Sequence, residues 1–298
     1  MPFKLPTLLV LAFVLLLSGC GGVRYVYSQL DWIVPWYARD YVRLDGEQRA
    51  LLNARLSDRL AWHCASELPA YSAFLRDLDG DLKQRHLEVG ILQPYLGRAE
   101  GFWDALVVTV APDIADVLAE LGDEQIAELA KNLDVRNVKT REEFLDPSEA
   151  ERHENRVERM EKRLRRWYGR LSAEQVERIE TWSQALAPAT EDWFENRLGW
   201  QSQLLDALAV RQDRNQFNDR VLELIMNPDA GWSDSYRAQV NANRDLTIEL
   251  IVDVHNAATV AQRARVASEL DSLAGQFDRL ACSAPTELRQ LGWLSSVR

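Results

Sequence analysis

The chain has 298 residues, 35 basic and 46 acidic, for a formal net charge of −11. That charge disfavours general binding to nucleic acid or to anionic lipid headgroups, both of which repel an acidic surface. The length is enough for one large core or two small ones.

The first element is a leader. Lys4 precedes an apolar run from Leu8 to Leu17, which is too short to span a bilayer and ends in Leu17-Ser18-Gly19-Cys20. A short basic start, a brief apolar stretch and small residues before a cysteine read as a cleaved lipoprotein signal. Residues 1–19 are then the signal peptide, Cys20 is the lipidated N-terminus, and 20–43 form a tether with an aromatic segment. Removing the leader takes away Lys4 and no acid, so the mature chain is more acidic by one charge. Nothing after Cys20 is apolar enough for a transmembrane helix, so the acyl chains supply the bilayer contact.

Gly21 and Gly22 make a very short linker, which keeps the folded part close to the membrane. Tyr25, Tyr27, Trp32, Trp36, Tyr37 and Tyr41 crowd the segment that follows. Rings with polar tips suit either a membrane interface or packing onto a helical domain, and packing is the default expectation. Pro35 is expected to break or kink this stretch.

From residue 44 to 298 apolar residues recur at three and four, which predicts an all-α antiparallel bundle or helical array. Turn signals fall at Pro69, Asp79-Gly80, Ala111-Pro112, Asp146-Pro147, Ala187-Pro188, Asn227-Pro228 to Gly231, and Ala284-Pro285. The clearest seams are Val157, Met160, Leu164, Trp167, Leu171 and Val266, Leu270, Leu273, Phe277, Leu280. Three segments share the form L-x-x-E-Q: Leu44 to Gln48, Leu121 to Gln125 and Leu171 to Gln175. Asp45 and Ser172 are placed to cap a helix, with Gln48 and Gln175 where the capping-box partner belongs.

Two resemblances attach to these residues. Leu30-Asp31-Trp32, Trp36-Tyr37, Asp40-Tyr41, Leu44 to Gln48, Trp62-His63 and Leu68-Pro69 resemble an uncharacterised family of proteobacterial lipoproteins, a domain of unknown function. The block from Arg163 to Trp182 fits it too. The family implies no activity and no catalytic residues. The L-x-x-E-Q elements are similar to the L-T-x-x-Q motif of all-helical periplasmic chaperones and adaptors, with Asp45, Gly122 and Ser172 where threonine stands. For a lipoprotein of this kind, Gly21 after the cysteine implies the outer membrane, facing the periplasm.

The remaining cysteines, Cys64 and Cys282, are an even pair in a chain read as exported, so a disulfide is the economical expectation. The other reading is two separate buried thiols. Arg152, Arg156, Arg159, Arg163, Arg166 and Arg170 step by four and three along one predicted helix, as a basic stripe about 27 Å long. Such a stripe suits an anionic partner, whether lipopolysaccharide, peptidoglycan or an acidic envelope protein. The blander reading is ion pairing within the fold, with Glu158–Lys162 and Glu161–Arg165 at the right spacing.

Asp77, Asp79, Asp81 and Glu88 match part of a calcium-loop template, but Leu82 stands where glycine is needed, so an acidic turn is expected. His63, His86, His153 and His255 show no metal-ligand spacing. Trp62, Trp167 and Trp182 read as core, and Trp193 with Trp200 as core or groove. No catalytic or phosphate-cradling motif occurs, so no cofactor is expected. The expected function is a non-catalytic binding or chaperone-like lipoprotein. The alternatives are a peptidoglycan-acting enzyme using Glu67 as acid, or an assembly factor of an outer-membrane complex.

Overall fold

The computed structural model describes residues 22–83 and 86–282, so the leader, Cys20 and the Ala284-Pro285 turn signal lie outside the described residues. Among those residues the chain is helical throughout, with no strand. The elements in order are α1 (Gly22–Tyr27), α2 (Leu30–Ala38), α3 (Gly46–Trp62), a π-helix (His63–Glu67), α4 (Leu68–Leu82), α5 (Val89–Ala119), α6 (Asp123–Phe144) and α7 (Glu149–Tyr168). Then follow α8 (Ala173–Ala185), α9 (Thr190–Ala209), α10 (Arg214–Met226), α11 (Asp234–Asn256) and α12 (Val260–Leu280).

One pairing scheme is used twice, with α7 between the two uses. In the first half α3, the π-helix and α4 form one uninterrupted rod; in the second, α8 and α9 follow the same course with a break at Pro188. The second rod serves two cores, through Ile179 of α8 and through Leu204 and Leu208 of α9, whereas the first rod gives Leu68 and Leu75 to one of them. The first core gathers Leu68 and Leu75 of α4, Met160, Leu164 and Tyr168 of α7, Ile179 of α8, and Val254, Leu270 and Phe277 of α11 and α12. The second gathers Ala115 and Ala119 of α5, Leu129 and Leu133 of α6, Leu204 and Leu208 of α9, and Phe217 and Val221 of α10. A smaller cluster of Leu87, Leu92, Ile248 and Val252 packs the start of α5 on α11. Burying a side chain such as Leu208 or Phe217, each 0 % exposed, contributes roughly 1.5–3 kcal/mol. Asp113 of α5 accepts from Arg59 of α3, and Asp116 pairs with Arg55 at 2.8 Å, which ties the first rod to its neighbour.

Four glutamines orient the helices. In each case the glutamine Oε1 accepts from the N-cap backbone three residues earlier: Asp45 to Gln48, Gly122 to Gln125, Ser172 to Gln175 and Thr259 to Gln262, all at 2.9 Å. Asp45, Ser172 and Thr259 return the bond through their side chains. Gly122 has no side chain to return, so only the glutamine half forms there. The free amides then cross. Gln48 donates to Gln125 at 2.8 Å and receives at 2.7 Å; Gln175 donates to Gln262 at 3.4 Å and receives at 3.0 Å. Each Nε2 also reaches a backbone carbonyl of the opposing segment: Glu120, Arg43, Val254 or Arg170. The L-x-x-E-Q elements are thus helix starts, and they work in crossed pairs. Nothing in the sequence pattern singled out Thr259 and Gln262, where Ala258 replaces the leucine and Ala261 the glutamate.

Three expected turns are corrected, and of the break or kink expected at Pro35 the break does not occur. The chain stays helical through Pro69, through Asp79-Gly80 in α4, through Pro112 in α5 and past Pro35 in α2. Pro112 is tolerated because Val108, the residue whose carbonyl loses its donor, is on the water side at 59 % exposed. Pro69 is tolerated for a more particular reason. Leu68 N–H bonds His63 in π register, so the next donor in that register, for Cys64 O, would be residue 69, and proline has none. Cys282 N–H fills the gap, donating to Cys64 O at 3.0 Å. The same two residues form the disulfide, with Cα atoms 5.3 Å apart. It ties the first rod to the end of α12, while Ser72 Oγ of α4 donates to Ala274 O of α12 at 3.1 Å.

Candidate functional site

α7 carries the basic stripe, and its local sequence explains its position. Ser148 caps the helix with Glu151 as its box partner, and Gly169 ends it at φ 72, where a side chain would be strained. Met160, Leu164 and Tyr168 face the first core, and the arginines flank that buried seam.

The stripe divides in two. At its start the arginines are committed to the fold. Arg152 pairs with Glu149 at 3.0 Å and Glu191 at 3.8 Å, and donates to Leu145 O. Arg156 donates to Ser183 Oγ at 3.1 Å and to Glu149 at 2.8 Å. Further on the pairing stops. Arg159, Arg163 and Arg166 form no ion pair among the described residues, although carboxylates of Glu143, Glu158 and Glu269 contribute to the surrounding field. Arg159 lies over the Phe144 ring at 5.6 Å and Arg166 over the Trp167 ring at 5.9 Å. Burial pulls the pKa of all three below the ordinary arginine value, and Arg159 adds repulsion at Arg163. Arg166 Nη2 is buried without a hydrogen-bond partner. Arg170 is exposed. Of the ion pairs expected by spacing, Glu161–Arg165 forms and Glu158–Lys162 does not.

Arg163 and Arg166 are half-buried, whereas Arg159 is exposed; a guanidinium drawn partly out of water without a carboxylate is unfavourable, and an arriving anion relieves that cost. Arg159, Arg163 and Arg166 span about 10 Å of one helix face, a spacing that suits several phosphate or carboxylate groups better than one.

A second cluster surrounds the π-helix. His63 sits among Tyr27, Trp62 and Tyr71 with ring centroids 5.7, 6.1 and 5.4 Å away, and its Nδ1 meets the Tyr27 hydroxyl at 3.2 Å. Burial lowers its pKa to about 4, so the ring is neutral at pH 7. Burial also raises the Glu67 carboxyl. Cys64 beside them is in the disulfide, so no thiol is there to activate.

The other candidates resolve as parts of the fold. Asp77 pairs with Arg98 at 2.9 Å, Asp79 with Lys83 at 2.5 Å, and Asp81 accepts from Tyr95 at 2.5 Å. The expected acidic turn is therefore a helical segment whose acids are separately engaged. No grouping of metal-ligating side chains occurs among the described residues. His255 is buried between Tyr168 and Leu82 O, each at 3.2 Å. Trp167 and Trp182 pack against the first core as expected, and Trp182 donates to Thr247 at 3.1 Å. The other two tryptophans part company. Trp193 packs on Phe144, whereas Trp200 donates to Leu224 O and lines a cleft of about 300 Å³ with Pro228 and Gly231. Packing of the N-terminal aromatics holds only in part. Tyr27 packs against the first core and Tyr41 against the second, whereas Tyr25, Trp32, Trp36 and Tyr37 are exposed.

With this geometry in place, comparison supplies the family. Residues 40–237 match the model of a family of unknown function, DUF6279, and the chain belongs to that family. No curated protein and no solved structure matches the chain. No helix among the described residues is long and apolar enough to cross a membrane.

Proposed function

We propose that this protein is a non-catalytic, lipid-anchored envelope protein that holds an anionic partner along the second half of α7. Anchoring rests on the leader and Cys20; the cell's outer membrane, facing the periplasm, is the address that Gly21 favours. The observation carrying the binding reading is that Arg159, Arg163 and Arg166 form no ion pair among the described residues, in a chain of net charge −11. Carboxylates are plentiful, yet this face is left to an outside anion. Lipopolysaccharide phosphates, peptidoglycan carboxylates and an acidic polypeptide share the needed chemistry. The chaperone-like or adaptor-like reading rests on the likeness of the L-x-x-E-Q elements, which are helix starts here, to the L-T-x-x-Q motif.

A photocrosslinking residue in place of Arg163, used in intact cells, tests this. The expected result is one specific adduct that is lost when Arg159→Glu and Arg166→Glu are added. No adduct, together with envelope integrity unchanged by charge reversal of all three, removes the reading.

The raised Glu67 carboxyl supports a second reading, a peptidoglycan-cleaving enzyme with Glu67 as general acid. Release of muropeptides from purified sacculi, abolished by Glu67→Gln, would establish it in place of the first.

A further inference from the structure

No residue of α2 belongs to the core. Trp32 is 61 % exposed, Trp36 45 % and Tyr37 52 %, with Tyr25 of the preceding helix at 70 %. The two indoles lie one turn apart and stack at 6.0 Å with an interplanar angle of 15°. Asp31 is the only charged residue in α2.

The helix is held at both ends, so its exposed rings are not a frayed terminus. On the N-terminal side the Tyr27 hydroxyl donates to Leu60 O at 3.4 Å and meets His63. On the C-terminal side Tyr37 and Tyr41 join hydroxyls at 3.1 Å. Arg136 of α6 lies over the Tyr41 ring at 4.2 Å and pairs with Asp40 at 2.8 Å. The fold thus fixes α2 in place and turns a tryptophan pair toward solvent.

We infer that the Trp32/Trp36 face of α2 is a second membrane contact, seated at the boundary between headgroups and acyl chains. The inference rests on the lipid-anchored reading of Cys20 and goes beyond it by adding a protein surface to the lipid. The length of chain commits the occupant. Trp32 lies twelve residues after Cys20, so it reaches at most about 40 Å from an anchored N-terminus, and less with α1 helical. Indoles are amphipathic and collect at that depth of a bilayer. The acidic protein gains nothing from anionic headgroups, so the contact is apolar and insensitive to salt. The acyl chains hold the N-terminus at the bilayer, and a docked aromatic helix adds a protein contact that fixes the orientation of the folded part.

The test uses the acylated chain in phosphatidylcholine–phosphatidylethanolamine vesicles whose acyl chains carry bromine near the headgroup. The expected result is partial quenching of tryptophan emission, unchanged in high salt and lost in Trp32→Ser/Trp36→Ser. Circular dichroism of that double variant should match wild type, since neither ring is buried. The Cys20→Ala chain, which cannot be acylated but keeps its apolar leader, provides the second arm. Quenching there that the double variant again loses supports the α2 contact whatever anchors the N-terminus. Failure of Cys20 to be acylated sinks the anchoring reading alone. Wild-type protein that is vesicle-bound but unquenched, or quenched equally in the double variant, overturns the α2 contact.

Discussion

The two glutamine crossings are built from the same parts but sit in different surroundings. Gln175 is 0 % exposed and Gln262 8 %; at the other crossing Gln48 is 6 % exposed, while Gln125 is only half-buried. The helix contacts beyond them differ as well. α4 and α12 meet through Ser72, Ala274 and the disulfide, whereas α6 and α9 meet through side-chain amides. Asn137 and Gln201 exchange bonds at 2.6 and 3.2 Å, and Arg197 donates to Asn137 at 3.1 Å. The cap sets helix direction in both halves, and local burial sets how strongly each junction is held. An amide shut away from water must keep its partner, whereas a half-buried one exchanges it for water at little cost.

The largest difference between the α4–α12 and α6–α9 contacts is covalent. Cys64→Ser/Cys282→Ser removes a cross-link over 218 residues, worth up to about 5 kcal/mol in the chain-entropy picture. Exchange through global unfolding should then rise across the whole loop, and exchange through local opening should rise most in α4 and α12. Acid should act on the same region, around the π-helix. His63 has a folded pKa of about 4, below the unfolded value, so the unfolded chain binds the extra proton between about pH 6.5 and 4. Stability from this group is complete above that window and falls as pH drops through it, by at most about 3 kcal/mol. The raised Glu67 carboxyl opposes the trend, because its burial disfavours the charged form and acid relieves that. Denaturant titrations should show a shallower acid slope for His63→Phe than for wild type.

Single amide substitutions come next. Gln175→Ala is expected to cost about 2–3 kcal/mol, because it strands the partner amide of Gln262 and the buried Val254 carbonyl. Gln125→Ala should cost about 1 kcal/mol, the ordinary value for a cap. Equal losses in thermal melts would show that burial does not separate the crossings. The smallest effect belongs to the unpaired part of the stripe. Arg163→Met should leave stability unchanged or raise it by up to about 1 kcal/mol, since a desolvated unpaired charge is removed. Arg156→Met should destabilise by about 1–2 kcal/mol through the loss of its bond to buried Ser183.

Fold class was legible because helical periodicity is a property of each segment alone. The seam from Val157 to Leu171 and the caps at Asp45 and Ser172 are local patterns that became local structure. Pro69, Gly80 and Pro112 misled as turn signals because a breaker acts locally, while packing and a remote donor decide whether the helix survives it. The crossed glutamines were not legible either. Their partners lie 77 and 87 residues apart, and only the folded chain brings them together. The stripe was visible as a row of six arginines. Its division at Arg159 depends on where Glu149, Glu191 and Ser183 fall in space, which spacing along α7 does not encode.

The proposed anchoring requires export of the chain and a fatty acid on Cys20. Intact-mass measurement of the protein taken from the membrane fraction tests that directly. The expected species begins at Cys20, carries acyl groups and lacks two hydrogens for the Cys64–Cys282 bridge. An unacylated chain retaining Met1, with both of those thiols open to alkylation, would contradict it.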